Sequence, residues 1–404
     1  MNTEAREQGA DALKDQVCAA IDAQSDMLEA IALDLHAHPE IAFEEVRSAA
    51  VLAGHARDAG LHTVLPAYGL DTAFGAEFGA NSGPIVGIVA EYDALPGLGH
   101  ACGHNVIGTA ALGAALGLAA LGTALPGRVR LIGTPAEEAG GGKILMARKG
   151  AFDGLDCVMM VHPADRNLPS YRLIAACKVT AVFTGLPAHA AATPESGINA
   201  LDALVAAYVA IGMLRQQVPP SHRIHAIIRE GGTATNIIPD RAVGEFGMRA
   251  PDLAGLEWLR ARVEDCLRGG ALSAGAEVEI RRDPVEYHDL IANRPLANRF
   301  QANAERLGRS FGTVEALPDS HAASTDFGNV SHMVPAIHPM LATVLPGTAF
   351  HTEAFARQCA EPAALRAMLD GAKAMAMTAL DVLCDAELQA SIKRDFAASA
   401  LATD

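Results

Sequence analysis

Between Glu91 and His104 the chain reads Glu-Tyr-Asp-Ala-Leu-Pro-Gly-Leu-Gly-His-Ala-Cys-Gly-His, a thiol, two imidazoles and two carboxylates in one short stretch. Cys102 and His104 are two residues apart, so an extended or turning backbone can aim both at one point. A thiolate and a neutral imidazole are good ligands for zinc-like ions. Glu137-Glu138, then His162 after an apolar run, then His351 near the C-terminus, extend the donor set. Together they read as a metal-dependent hydrolase with a water-activating carboxylate. Residue types alone leave other readings open. Cys102 and His104 could be a buried structural pair, or Cys102 could be a nucleophile activated by a histidine, which needs an oxyanion hole and an orienting group that the sequence does not identify. Glu137-Glu138 could divide into ligand and base or form a solvated acidic turn. Gly140-Gly-Gly-Lys143 lacks the GxxxxGK[ST] spacing and is not a phosphate loop.

The elements that must position these groups follow from periodicity. Helical patterns run over about 13–35 and 44–59, strands over 71–79, 84–90, 128–134 and 157–161, and a helix over 105–122. This alternation predicts an α/β domain with a central mixed sheet flanked by helices, with ligands beyond strand C-termini. The pattern then changes: strand 178–184, helix 198–217, strands 223–230 and 242–249, helix 253–268 and strand 276–282. The order β-α-β-β-α-β is the split ferredoxin-like unit. In the helix 198–217, Leu201, Leu204, Val205, Tyr208, Ile211 and Leu214 form one apolar stripe. The expected organisation is a catalytic domain in two parts, 1–176 and 287–404, with an inserted lid and dimerisation domain over 177–286.

Composition narrows the class. A formal charge of −16 argues against a nucleic-acid surface, which needs clustered Lys and Arg. The uncharged run 106–125 is mostly Ala and Gly and follows the donor cluster directly, so a helix buried between protein layers fits it better than a membrane span. Seven scattered cysteines argue against a disulfide framework, and the polar N-terminus lacks the apolar region of a signal peptide, which together predict a cytoplasmic protein. His36 and His38 read as helix-end groups. His222, His225, His288, His321, His332 and His338 have no partner at ligand spacing and read as structural or surface residues.

Several stretches carry a resemblance: Leu35-His-Ala-His-Pro-Glu-Ile-Ala-Phe-Glu-Glu45, Tyr92-Asp-Ala-Leu-Pro96, His100-Ala-Cys-Gly-His104, Thr134-Pro-Ala-Glu-Glu138, Val161-His-Pro163, Ala188-His-Ala190, Asn236-Ile-Ile-Pro239, Ser324-Thr-Asp-Phe-Gly-Asn-Val-Ser331 and Phe350-His-Thr-Glu353. In order and content they resemble the aminoacylase/carboxypeptidase family of dinuclear metallopeptidases (peptidase family M-twenty). The similarity is greatest to the amidohydrolase branch with aminobenzoyl-glutamate hydrolase subunits, auxin-conjugate hydrolases and related dipeptidases. The loops 92–104 and 134–138 are the specific ones.

The resemblance implies that Cys102, His104, Glu138, His162 and His351 hold two divalent ions, zinc, manganese or cobalt. It makes Glu137 the general base and brings His189 from the lid, often from a partner subunit, to stabilise the oxyanion. Asn236 and Arg249 would hold the substrate carboxylate. The implied reaction is hydrolysis of the amide of a small N-acyl amino acid or dipeptide-like substrate by a homodimer joined through the lid, with no nucleic-acid or membrane partner. Asp93 is better placed to orient a ligand than to bind metal. A thiol hydrolase using Cys102, and a non-catalytic subunit that keeps the fold, are the alternatives.

Overall fold

A computed structural model describes residues 3–313 and 323–402; His321 lies outside them. The chain opens with helices α1 (Thr3–Asp22), α2 (Ser25–Ala37) and α3 (Val46–Asp58). The single helix expected over 13–35 is two, because the chain turns at Ala23-Gln24. Gln24 donates its side-chain amide back to the Ala20 carbonyl, and its own carbonyl receives the Leu28 N–H. The break lets Val17 and Ile21 on α1, and Leu28, Ile31 and Leu35 on α2, all enter one core.

Strands β1 (His62–Val64), β2 (Phe74–Gly79) and β3 (Ile85–Glu91) come next, then α4 (His104–Ala119), β4 (Arg128–Thr134), α5 (Gly142–Ala147), β5 (Cys157–Met159) and β6 (His162–Ala164). The second half supplies β7 (Ala175–Thr184), α6 (Ala200–Leu214), β8 (Arg223–Glu230), β9 (Arg241–Ala250), α7 (Leu253–Ala274) and β10 (Glu277–Arg282). It continues with α8 (Arg294–Arg306), α9 (Phe327–Ser331), β11 (Ala336–Ile337), β12 (Met340–Ala342), α10 (Glu353–Gln358), α11 (Pro362–Cys384) and α12 (Ala386–Ala402).

Contacts divide the chain into two compact units. One holds Leu173–Asp289 together with the stretch ending at Gly328; the other holds the rest of the described chain. The larger unit is built on a mixed six-stranded sheet, β1-β2-β4-β3-β5-β11. β3 runs parallel to both β4 and β5, and every residue of β3 is buried, as expected of a strand covered on both faces. β3 and β4 end level, with Glu91 opposite Thr134, so the loops carrying Cys102 and Glu137 leave the same edge of the sheet. A separate parallel pair, β6 with β12, sets His162 opposite Met340.

The Ala- and Gly-rich helix α4 is buried along nearly its whole length. Its small residues permit close approach: a Cβ at Gly108 would lie 2.7 Å from the Glu91 carbonyl oxygen, and one at Gly117 2.6 Å from Ile21. A methyl group at either position would strain the packing by about 1–3 kcal/mol. No helix among the described residues is long and apolar enough to cross a membrane.

The smaller unit is the β-α-β-β-α-β arrangement itself, an antiparallel sheet in the order β10-β7-β9-β8. Asn199 and Asp252 cap its two helices, their side chains accepting backbone N–H groups of the first turns. Val179, Ala181 and Phe183 of β7 and Phe246 and Met248 of β9 share one core with α6 and α7. On α6 the buried stripe is Ala203, Leu204, Ala207, Ile211 and Leu214. Val205, expected on that stripe, faces outward with Val209 and Met213.

Candidate metal centre

The first donors sit where β3 turns into α4. Gly103 occupies the position before the helix with φ 79°, and a Cβ there would lie 2.7 Å from Pro163 and 2.9 Å from the Cys359 sulfur. Only glycine accepts that conformation in that space. The turn leaves Cys102 and His104 on either side of one point. His104 Nδ1 is 3.0 Å from Asp93 Oδ1, so Nε2 is the nitrogen that faces the cluster.

Glu137 and Glu138 follow β4 directly. Asp93 Oδ2 accepts the Glu138 N–H at 2.9 Å, so one buried carboxylate fixes both the His104 ring and the backbone of Glu138. His162 opens β6, and its Nδ1 lies 2.7 Å from the Pro163 carbonyl, to which it donates, leaving the Nε2 lone pair turned toward Cys102. His351 has φ 59°, and its N–H donates to the Ala101 carbonyl at 3.0 Å. A non-glycine residue in the left-handed region is uncommon and persists only where its surroundings impose it.

These groups converge. Cys102 Sγ is 3.8 Å from His162 Nε2 and 3.6 Å from His351 Nε2. Glu138 Oε1 is 3.8 Å from His104 Nε2, and its Oε2 is 3.4 Å from His351 Nε2. Three overlapping donor sets result, each with ligand atoms within 4.8 Å of one another: Cys102, His104 and His162; Cys102, Glu138 and His351; His104, Glu137 and Glu138. His104 Nε2 and Glu138 Oε1 are buried and make no hydrogen bond. Buried polar atoms left in that state are costly, and a cation between them would satisfy both, so the donor set fits a metal.

The electrostatics differ from donor to donor. Burial drives the His162 imidazole far below its ordinary pKa, keeping it neutral and able to ligate. Burial alone would also lower His104, but the charge and hydrogen bond of Asp93 carry it well above. Burial pushes up on Asp93 in turn, and His104 holds it below the carboxylate range. The Cys102 thiol is pushed well above its usual value, by burial first and by the nearby Glu138 charge as well. A nucleophilic cysteine needs the opposite shift, whereas a bound cation would deprotonate this thiol outright.

Around this centre lie groups that spacing did not single out. Lys143 Nζ is 2.6 Å from Glu91 Oε1, and Glu91 Oε2 is 3.6 Å from His104 Nε2, all three side chains being buried. The lysine of the glycine-rich run thus ties α5 to the end of β3. His338, read as structural, packs its ring 5.1 Å from that of His162, and burial lowers it to about 4. The parallel pairing of β6 with β12 brings them together, a signal that no local spacing carries. His100 instead turns its Nε2 to the Leu35 carbonyl at 3.1 Å. His38 sits at the end of α2 with its ring on the Asp34 carbonyl at 2.9 Å.

The remaining expected site residues belong to the smaller unit. His189 is exposed, and its Nδ1 accepts the N–H groups of Ala191 and Ala192 at 3.2 and 3.1 Å. That leaves Nε2 as the protonated, outward nitrogen. Asn236 lies on the facing segment, where its carbonyl accepts the Ala190 N–H at 3.0 Å. Arg249 on β9 donates to the Ser324 hydroxyl at 3.0 Å.

A mixed α/β unit with thiol, imidazole and carboxylate donors beyond the strand ends is the architecture of a metallohydrolase. Residues 87–381 match the model of peptidase family M20/M25/M40, and the chain belongs to that family. It is similar to the Xaa-Arg dipeptidase of Mus musculus, 40% identical over 400 residues covering 95% of this chain and 92% of that one. It is 31% identical to a p-aminobenzoyl-glutamate hydrolase chain of Escherichia coli strain K12, over 91% of this chain and 92% of that one. Among solved structures, a dinuclear metal binding peptidase of the M20 family from Bacillus subtilis superposes with a TM-score of 0.70 at 22% identity, covering 90% and 99%. A putative aminohydrolase from methicillin-resistant Staphylococcus aureus superposes with 0.77 at 20%, covering 92% and 100%. At those identities the structures speak to the fold. The chain is a metal-dependent amide-bond hydrolase.

Proposed function

We propose that this protein cleaves the amide of a dipeptide or N-acyl amino acid at a dinuclear centre held by Cys102, His104, Glu138, His162 and His351. The observation that carries the reading is the convergence of those five side chains with Glu137 in overlapping donor sets. One thiolate, one carboxylate and three imidazoles suit zinc, manganese or cobalt better than magnesium or calcium. When bound, the ions would polarise the scissile carbonyl and lower the pKa of water toward about 7. Glu137 accepts the proton of the attacking water and returns it to the departing nitrogen. The outward Nε2–H of His189 donates to the oxygen that gains charge. Arg249, with donors beyond the one given to Ser324, and Asn236 hold the substrate carboxylate. The substrates named for the two relatives, an Xaa-Arg dipeptide and p-aminobenzoyl-glutamate, both fit a small amide of this kind.

The working form is a homodimer joined through the smaller unit, which serves as a lid. Val205, Val209 and Met213, 44%, 56% and 65% exposed, form an apolar stripe on α6, and β8 is an open sheet edge. Seven free cysteines suit a reducing, cytoplasmic setting. The test of the chemistry is Glu137→Ala. The kcat should fall by about 10²–10⁴-fold with metal content unchanged; full activity with metal retained would remove the general-base role.

A further inference from the structure

A buried carboxylate that the proposed reaction does not use lies behind the loop carrying Glu137 and Glu138. Glu45 ends the turn before α3 and is fully buried. Its Oε1 accepts the Phe43 N–H at 3.0 Å and the Ala136 N–H at 2.9 Å, and its Oε2 accepts the Thr72 hydroxyl at 2.9 Å. The Thr72 carbonyl in turn accepts the Tyr92 hydroxyl at 2.6 Å, between Glu91 and Asp93. Both residues whose N–H groups Glu45 receives are left-handed, Phe43 at φ 64° and Ala136 at φ 60°. L-residues other than glycine avoid that region unless their surroundings impose it. The rest of the loop is equally constrained. A side chain at Gly142 would collide with the Pro135 carbonyl, and one at Gly140 would collide with the Phe43 ring.

Ala136 immediately precedes the acidic pair, so its φ sets the direction in which both carboxylates leave β4. We infer that Glu45 is a positioning residue for Glu137 and Glu138, holding the Ala136 N–H in the left-handed turn from which the pair projects. The inference rests on the roles proposed above for that pair. What the turn uses is the acceptor geometry rather than a fixed charge. A glutamine can present one oxygen to both N–H groups and its amide to the Thr72 oxygen. Burial, which pushes the Glu45 carboxyl up to about 7, is consistent with this. Asp93 grips the same loop two residues later, at the Glu138 N–H, so the strand-end loop is held by a carboxylate at each end of the acidic pair.

The experiment compares Glu45→Gln, Glu45→Ala and the double variant Glu45→Ala/Ala136→Gly on the full chain. Kcat and KM are measured separately, and zinc affinity is measured by competition with a chromophoric chelator. Glu45→Ala should lower kcat by about 10–100-fold, because a misplacement of about 1 Å is enough for a loss of that order. It should also weaken zinc binding by about tenfold or more through Glu138. KM should move little. Glu45→Gln should stay close to the parent on both readouts, and the glycine at 136, free to adopt the left-handed turn unaided, should recover much of the loss. If Glu45→Ala does not fold, Glu45→Asp, one methylene too short, replaces it with the same expected loss and rescue. Parent-like kcat and zinc affinity in the folded Ala or Asp variant would overturn the inference. So would a glutamine variant as impaired as alanine, or a glycine that rescues nothing. Zinc competition reads the placement of Glu138 and kcat of Glu137→Ala reads the chemistry of the pair, so failure of this inference is distinguishable from failure of the proposed reaction.

Discussion

The strand-end loops of the larger unit and the His189–Asn236 surface of the smaller one hold their proposed site residues by different means. At the former, four of the donors are held by a partner behind the ring or the backbone. Asp93 fixes His104 and Glu138, the Pro163 carbonyl fixes His162, and the Ala101 carbonyl fixes the backbone of His351. At the latter, His189 is exposed, with its ring steadied by two backbone N–H groups of its own turn. Donors held from behind in this way keep their geometry whether or not substrate is present, even at His351, whose side chain is about half exposed. An exposed imidazole on a turn suits a group that meets substrate only as charge develops. Changes to the proposed ligands of the first region, or to the groups that hold them, should therefore register in metal binding, and a change at His189 should register in turnover with metal binding intact.

The sharpest way to break that contrast is His189→Ala. Loss of one oxyanion donor should lower kcat by about 10²–10³-fold with metal stoichiometry unchanged. A variant that also loses metal would merge the two regions into one. Asp93→Asn probes the opposite case with a smaller effect. It removes the charge that orients His104 while leaving an acceptor for the Glu138 N–H, and should weaken metal binding by about 10–100-fold. Isothermal titration of the metal-free variant measures this directly, and parent-like affinity would show that the ring needs no such support.

Much of this was legible in the chain. Thiol, imidazole and carboxylate donors are visible by type, and the strand over 128–134 and the β-α-β-β-α-β order follow from pattern because each is local. The break at Gln24 was not, since apolar periodicity runs through it and only the packing of two helix faces into one core requires the turn. Glu45 closes one of the stretches that carry the resemblance, but nothing local gave it a role. Its partners Thr72 and Ala136 are 27 and 91 residues away, and the helical pattern over 44–59 takes it in without saying that the fold buries it. Spacing set Lys143 apart from a phosphate loop, but its pairing with Glu91 depends on how α5 lies against the end of β3. Val205 shows the same limit: a six-residue stripe drawn by periodicity was one residue too wide for the buried face of α6.

The central claim is that these donors form a catalytic metal centre. It is tested most directly by metal content on protein purified without a metal-binding tag, with hydrolysis of an Xaa-Arg dipeptide, p-aminobenzoyl-glutamate and an N-acetyl amino acid assayed before and after chelation. About two ions per chain, with activity abolished by chelation and restored by zinc, manganese or cobalt, is the predicted result. Hydrolysis that persists unchanged in protein stripped of metal would contradict it.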